Sequence, residues 1–146
     1  MAYKGKYKLT KPEKYIGDGS RIWFRSLWEL SIMKWLETNP DVIKWSSEVP
    51  CKYRSELDGN IHTYYIDFYI QYLDGSITYM ECKPKKYCTA PTNPKRKTAH
   101  YIELCNTWIV NCSKWKTAKQ LCEQNGYNFE IWHEDIIKSK GIKIIT

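Results

Sequence analysis

The sequence predicts a mixed α/β domain in which helices flank a central sheet, and three observations lead to this prediction. Residues 26–37 carry apolar side chains at helical spacing, and residues 63–83 alternate like two strands around a turn. More helical segments and one further strand follow residue 98. Because 146 residues with 42% apolar side chains can enclose a real core, we expect residues 1–146 to form one layered α/β or α+β domain.

Composition narrows the class of protein. Lys and Arg number 23 against 16 Asp and Glu, and the net charge of +7 indicates an anionic partner, most simply nucleic acid. No apolar run approaches the roughly 20 residues of a membrane span, and no apolar signal segment follows the Lys-rich N-terminus. We therefore expect no membrane association, and six reduced, mostly buried cysteines in an intracellular setting. Zinc is not expected, because the cysteines and histidines lack ligand spacing.

The N-terminal segment is rich in lysine. Residues 1–20 are expected to form a loosely ordered basic N-terminal arm, in which tyrosines are interleaved with lysines and Gly17 and Gly19 lie near the end. A functional arm and a merely solvated terminus are equally open from the sequence.

The first helix is expected at 26–37, with Ser26 as its N-cap and Asn39-Pro40 as its end. Its apolar face consists of Trp28, Ile32, Trp35 and Leu36. The core is expected to continue through a short turn at 42–45.

Three strand candidates follow, at 48–54, 63–73 and 76–83. Asp74-Gly75 is a hairpin turn signal between the last two, and Pro84 ends the third. Residues 84–97 hold three prolines and five bases but no acid, so an exposed basic loop is expected there.

Two helices, a strand and a short helix are expected after this loop. The first helix covers 98–109, and Ser113 caps the second, which ends with Gly126 at the C′ position. The apolar faces of the two helices are Ala99, Ile102, Cys105 and Ile109, and Trp115, Ala118, Leu121 and Cys122. A strand alternates through Tyr127, Phe129 and Ile131, and a final helix covers 134–138.

The predicted hairpin concentrates charged side chains. Asp67 and Glu81 are symmetric about Asp74, which sets their Cβ atoms about 5 Å apart if they are in register, and Lys83 shares the face of Glu81. Two adjacent carboxylates are unfavourable without a cation, and Mg²⁺ is held by one or two carboxylates plus waters and phosphate. With a lysine to orient the attacking water, the set suits metal-assisted phosphodiester hydrolysis. A solvated strand face with a Glu81–Lys83 ion pair is the alternative.

Glu29 and a group of bases surround this set, and each allows two interpretations. Ser26 and Glu29 form a capping-box pattern, so Glu29 either satisfies a helix-end amide or supplies a third carboxylate that reaches the metal directly or through water. The bases are either phosphate-backbone contacts or a solvated surface. These candidate nucleic-acid-binding residues are Arg25, Lys85, Lys86, Lys95, Arg96 and Lys97.

The set Glu29, Asp67, Glu81, Cys82 and Lys83 resembles the PD-(D/E)XK nuclease superfamily, whose αβββαβ core has the predicted element order. Ile66 stands where the name of the superfamily has Pro. The resemblance implies a central mixed sheet flanked by helices, with Asp67 and Glu81 binding Mg²⁺, for which Mn²⁺ substitutes. It also implies a metal ligand from the Cys82 carbonyl, a water-orienting or transition-state role for Lys83, and completion of the catalytic site by Glu29. The Cys82 side chain is expected to point away from the site.

Nearly the whole chain is also similar to the head completion proteins of T-even-type tailed phages. The residues that carry this similarity are Met1, Ala2, Tyr3, Gly5, Lys6, Tyr15, Gly17, Asp18, Arg25, Ser26, Trp28, Glu29, Trp35, Leu36, Asn39, Pro40, Ile43, Trp45, Ser47, Glu48, Asp67, Glu81, Lys83, Pro84, Lys85, Lys86, Asn111, Lys114, Trp115, Lys116, Ala118, Glu134 and Asp135. The resemblance implies Mg²⁺-dependent endonuclease and exonuclease activity on packaged double-stranded DNA, without sequence specificity, so that heads join tails.

This family resemblance also implies portal or neck proteins as partners and a location in the virion or in the host cytoplasm during assembly. A homodimer is an open alternative, because many members of the superfamily act as dimers. Two competing functions are a non-catalytic DNA-end-binding factor at the portal and an endonuclease for branched DNA or transposon ends.

Overall fold

The computed structural model describes residues 4–145. Two short strands precede the first helix, and three strands, a long helix, a strand and a short helix follow it. In chain order the elements are β1 (Gly5–Lys6), β2 (Trp23–Phe24), α1 (Leu27–Thr38), β3 (Val42–Arg54), β4 (Ile61–Tyr72), β5 (Ile77–Cys82), α2 (Ala99–Asn125), β6 (Asn128–Trp132) and α3 (Glu134–Ser139). Short 3-10 helices lie at Pro12–Lys14 and Lys85–Tyr87.

The central sheet has the strand order β3-β4-β5-β6. Its first two pairings are antiparallel, and β6 joins β5 in parallel after the crossover through α2. The prediction of a mixed sheet flanked by helices is therefore confirmed, and so is the order helix, three strands, helix, strand. Strand β3 begins at Val42 rather than at 48, so the short turn expected at 42–45 is wrong: Trp45 is part of the strand and pairs with Ile70.

Two apolar clusters form the core. The first packs α1 and α3 against the sheet and includes Ile32, Leu36, Trp45, Phe68, Trp132 and Ile137. The second packs α2 against the sheet and includes Cys51, Tyr53, Tyr64, Ile66 and Ala118. Ile66 and Phe68 belong to different clusters, and Asp67 stands between them along β4.

The region predicted as two helices is one helix, α2. Ser113 is an interior residue: its hydroxyl donates to the Ile109 carbonyl over 2.9 Å and accepts the backbone N–H of Glu56 over 3.1 Å. Its side chain therefore ties the helix to the loop after β3 instead of capping a new helix. Gly126 ends α2 in the left-handed conformation at φ 72°, as predicted. Helix α2 packs against the second cluster only from Val110 onward, so Ile102 near the start of the helix is exposed.

The expectation of a loosely ordered arm is wrong for residues 4–20, while residues 1–3 of that arm lie outside the described residues. Tyr7 is buried, and its hydroxyl donates to Glu37 in the last turn of α1 over 2.6 Å. The ammonium of Lys14 donates to the carbonyls of Leu36 and Asn39 at the end of the same helix, where a cation is favourable. Hydrogen bonds to the end of α1, which is distant in sequence, therefore order a segment that its composition predicted to be loose.

Two further expectations concern the state of the six cysteines and membrane association. All six cysteines are free, but only Cys51 and Cys122 are buried. Within residues 4–145, none of the helices is both long and apolar enough to cross a bilayer.

Candidate active site

Asp67 and Glu81 lie opposite each other on neighbouring strands. The β4–β5 register runs from Gln71↔Ile77 to Phe68↔Met80, and one more step pairs Asp67 with Glu81. Gly75, at φ 90°, closes the hairpin in a conformation that favours glycine. The symmetry that the sequence suggested about Asp74 is therefore present in the sheet.

Each carboxylate has one oxygen engaged by the protein. Oδ2 of Asp67 accepts the backbone N–H of Cys82 over 2.9 Å. Oε2 of Glu81 accepts the indole N–H of Trp115 from α2. These bonds leave Oδ1 of Asp67 and Oε1 of Glu81 for a ligand. The sequence assigned Trp115 only to a core face, because nothing local connects it to a carboxylate 34 residues away.

The environment of Asp67 opposes its ionisation. Burial, then the charges of Glu81 and Glu29, raises the pKa of Asp67 to about 7, and the hydrogen bonds from Cys82 only partly offset them. Glu81 itself is only 7% exposed. A buried carboxyl group whose charge is disfavoured by burial and by neighbouring carboxylates is typical of a site that binds a cation.

Glu29 has the capping role that its sequence context allowed, and its role at a metal stays a prediction. Ser26 accepts the backbone N–H of Glu29 over 3.2 Å, and Oε2 of Glu29 accepts the backbone N–H of Arg25 over 3.0 Å. The cap is therefore present, although the amide that Glu29 satisfies belongs to Arg25 and not to Ser26. Burial raises the pKa of Glu29, and its charge in turn reaches Asp67.

Glu48 also belongs to this group, although the sequence alone gave it little weight. It lies on β3 between Ser47 and Val49, which pair with Phe68 and Ile66, so it stands beside Asp67. Its φ of 52° is a left-handed conformation that is unfavourable for Glu. Oε1 of Glu48 forms an ion pair with Nε of Arg25 over 2.7 Å. We refer to Glu29, Glu48, Asp67 and Glu81 as the acidic cluster.

Lys83 and Cys82 complete the predicted motif. Lys83 is half-buried, and its side chain forms no ion pair within residues 4–145, so the alternative Glu81–Lys83 pair is not present. The Cys82 side chain does not point away from the site: its thiol donates to Oδ2 of Asp67 over 3.5 Å. The reason is that Asp67 turns toward the β5 backbone, where both donors of Cys82 meet it.

The predicted phosphate-binding residues are spread over a wider surface. Lys85 is already paired with Asp135 over 2.9 Å, and its backbone N–H is bound by Glu134. The other bases of the loop, Lys86, Lys95, Arg96 and Lys97, are exposed. A cleft of about 480 Å³ separates this loop from α2 and is lined by Lys86, Tyr87, His100 and Trp108 among others.

The donor set fits a hard divalent cation, because it consists of carboxylate oxygens with one free oxygen on each of the two central residues. Water and substrate would have to complete the coordination of the cation. Across the described part of the chain, no group of three or more His, Cys, Asp or Glu side chains is placed to hold a metal ion by itself, so two carboxylates would have to be supplemented by other ligands.

Comparison with known proteins shows the family of the chain. The family described as "TnsA-like endonuclease N terminal" matches residues 39–134, which is more than half of the chain. The chain belongs to the TnsA-like endonuclease family. A relative of this TnsA-like protein, the head completion nuclease of Enterobacteria phage T4, is 35% identical to it over 148 residues, covering 98% of this chain and 99% of that protein. The predicted resemblance to head completion proteins and to a nuclease superfamily is thereby confirmed.

The match of this TnsA-like nuclease to its family includes β3, β4, β5, α2 and β6, and so Asp67, Glu81, Lys83 and Trp115. Glu29 and Arg25 precede the matched range, but the similarity to the phage T4 protein extends over them. The roles of the individual site residues stay predictions.

Proposed function

We propose that this protein is a Mg²⁺-dependent deoxyribonuclease that hydrolyses phosphodiester bonds of packaged phage DNA during head completion, so that filled heads can join tails. The observation that carries the proposal is the buried Asp67–Glu81 pair, where burial and neighbouring charge raise the pKa of Asp67 to about 7. Membership of an endonuclease family and the 35% identity to a head completion nuclease support it.

The proposed cation would be held by Oδ1 of Asp67 and Oε1 of Glu81, the two oxygens that the protein leaves unused. The Cys82 carbonyl is the proposed third ligand, and Glu29 would contribute directly or through water with Oε1, since its Oε2 is engaged by the Arg25 amide. When bound, Mg²⁺ lowers the pKa of a coordinated water and polarises the scissile phosphate. Mn²⁺, with similar ligand preferences, is expected to substitute.

The remaining residues act on the water and on the DNA. Lys83, two positions beyond Glu81 on the same side of β5, would orient the attacking water and offset charge that develops on the phosphate. Arg25, Lys86, Lys95, Arg96 and Lys97 would hold the backbone of double-stranded DNA without reading its sequence. Lys85 would have to leave Asp135, and Arg25 would have to leave or share Glu48, to make such a contact.

The proposal extends to partners and activity type. We infer endonuclease activity, with exonuclease activity as an additional outcome to be measured on linear ends. Portal or neck proteins of the phage head are the proposed protein partners, with a homodimer as an assembly to be tested. The protein would act in the host cytoplasm during assembly and would remain in the virion if it stays bound at the portal.

The test is incubation of the purified protein with supercoiled and linear DNA, with Mg²⁺, with Mn²⁺ and with a chelator. Cleavage is expected with either metal and not with the chelator. Asp67→Ala and Lys83→Ala are expected to lose cleavage, while Asp74→Ala at the exposed hairpin turn is expected to retain it. Unchanged cleavage by Asp67→Ala, or no cleavage by the wild type with either metal, would exclude the proposal.

The match to TnsA-like endonucleases supports a second candidate, an endonuclease for transposon ends or branched DNA. Selective cutting of four-way junctions over linear duplex would favour this candidate. The third candidate, a DNA-end-binding factor without catalysis, would be favoured if an Asp67→Ala variant restored head–tail joining.

A further inference from the structure

Helix α2 contributes one side chain to the acidic cluster. The indole N–H of Trp115 donates to Oε2 of Glu81, and the Trp115 ring packs edge-on against Trp108 with ring centroids 5.8 Å apart. The Trp115 indole is thus fixed by a neighbour on its own helix, and it donates a hydrogen bond to a carboxylate on β5. A rigid donor at one oxygen restricts the orientation of the other oxygen, which is the one left for a ligand.

Strand β4 contributes a second polar group. Tyr64 is 3% exposed, and its buried hydroxyl forms no hydrogen bond of ordinary geometry in the described part of the chain, although it lies within hydrogen-bonding reach of the Glu81 carboxylate. Burial, followed by the charges of Glu81 and Asp67, raises the pKa of Tyr64, so the hydroxyl stays protonated and lies near both carboxylates. Buried hydroxyl groups in native proteins nearly always have a partner, and Glu81 is the acceptor that the Tyr64 hydroxyl approaches.

Neither residue is accounted for by the nuclease motif. Both rings belong to the second apolar cluster, so packing alone would explain their burial. Packing does not explain why an indole N–H and a phenol O–H, from two different elements, both face Glu81.

We propose that Trp115 and Tyr64 are positioning residues for Glu81, which together hold its carboxylate in the orientation that receives a divalent cation. The inference rests on the proposed function, because it assigns Glu81 to a metal site. Trp115 donates to Oε2, and the Tyr64 hydroxyl is the second donor to the same carboxylate. Neither residue touches DNA, and both act through Glu81.

The experiment compares Trp115→Phe and Tyr64→Phe with two matched controls. Trp35→Phe changes a tryptophan that packs edge-on against Trp132, away from the site, and Tyr53→Phe changes a buried tyrosine of the same cluster as Tyr64, with ring centroids 6.5 Å apart. Mn²⁺ affinity is measured by calorimetry on each folded full-length variant, and the Mg²⁺ dependence of DNA cleavage is measured alongside.

Each of the two test variants is expected to weaken Mn²⁺ binding by about tenfold and to raise the Mg²⁺ concentration for half-maximal cleavage to match. Metal-free DNA affinity is expected to be unchanged, as are all readouts in the two controls. Unchanged Mn²⁺ affinity in both test variants, with only a lower melting temperature, would overturn the inference.

A readout without metal separates this inference from the proposed function. The chain has seven tryptophans, and the indole N–H resonance that disappears in Trp115→Phe is that of Trp115. Glu81→Ala is expected to shift this resonance more than the other six. If the wild type binds no divalent cation, the proposed function and the metal-positioning role both fail, whereas a shifted resonance would still establish the Trp115–Glu81 contact. An unshifted resonance would overturn the inference whatever the nuclease assays show.

Discussion

The backbone N–H of Cys82 donates to Oδ2 of Asp67 over 2.9 Å, so one oxygen of this carboxylate helps to join β4 to β5. The bond forms where the backbone ladder of the two strands ends, next to Glu81. The Asp67 side chain therefore stabilises the fold through a hydrogen bond and destabilises it through a buried charge. Stability measurements can separate these two effects.

Asp67→Asn is expected to stabilise the metal-free protein at pH 8. The folded state raises the pKa of Asp67 from its usual 3.8 to about 7, so between these values the folded protein holds a proton that the unfolded chain has released, and at pH 8 it carries a disfavoured buried charge. Stability from this group is present below about pH 4 and is lost as pH rises through about 7. Asn keeps an oxygen for the Cys82 amide without the charge. Urea unfolding at pH 8 and pH 5 should show a gain that shrinks toward acid pH.

Asp74→Asn is the control for this measurement. Hydrogen bonds from Ser76 lower the pKa of Asp74 at the exposed turn, so its contribution has the opposite sign and is lost as pH falls. A stabilisation of equal size by Asp74→Asn at pH 8 would contradict the assignment to Asp67.

Glu48→Gly is expected to be more stable than Glu48→Ala by about 1 kcal/mol. Both variants remove the carboxylate and its contact with Arg25, and they differ only in the ease of reaching φ 52°. Chemical denaturation of the two variants measures the difference. Equal stabilities would mean that the backbone at residue 48 relaxes at no cost.

Arg25→Ala is expected to weaken DNA binding and to reduce the slope of log affinity against log salt by about 1, as the loss of one phosphate contact does. Its effect on stability is expected to be small, because the exposed Arg25–Glu48 pair contributes little in water. Binding to a short duplex in Ca²⁺ or without metal is measured over a range of salt concentrations. Arg21→Ala removes an equal charge that pairs with Asp18, and an identical loss in that variant would refute a specific role for Arg25.

Glu37→Ala is expected to lower the free energy of unfolding by roughly 3 kcal/mol, because it leaves several buried hydrogen-bond donors without an acceptor. Glu37 is 1% exposed and accepts bonds from the Tyr7 hydroxyl and from the backbone of Thr10 and Lys11. Faster tryptic cleavage at Lys8 would report release of the N-terminal segment. The exposed Glu13→Ala is the control, and similar cleavage rates in both variants would show that Glu37 does not anchor this segment.

Local patterns determined much of this protein. The Ser26 cap, the turn at Gly75, the end of α2 at Gly126 and the symmetric placement of Asp67 and Glu81 were all predictable from the sequence. Each depends on backbone sterics or hydrogen bonds among residues a few positions apart, or on strand alternation from a recognisable turn.

The tertiary structure alone decided what surrounds the candidate site. Trp115 reaches Glu81 across 34 residues and Tyr7 reaches Glu37 across 30, and no periodicity encodes such partners. The continuity of α2 through Ser113, the left-handed backbone of Glu48 and the thiol contact of Cys82 with Asp67 also depend on neighbours from other elements. The physical reason is that a buried polar group takes whichever partner the packed fold brings to it, and that partner is set only when the elements have assembled.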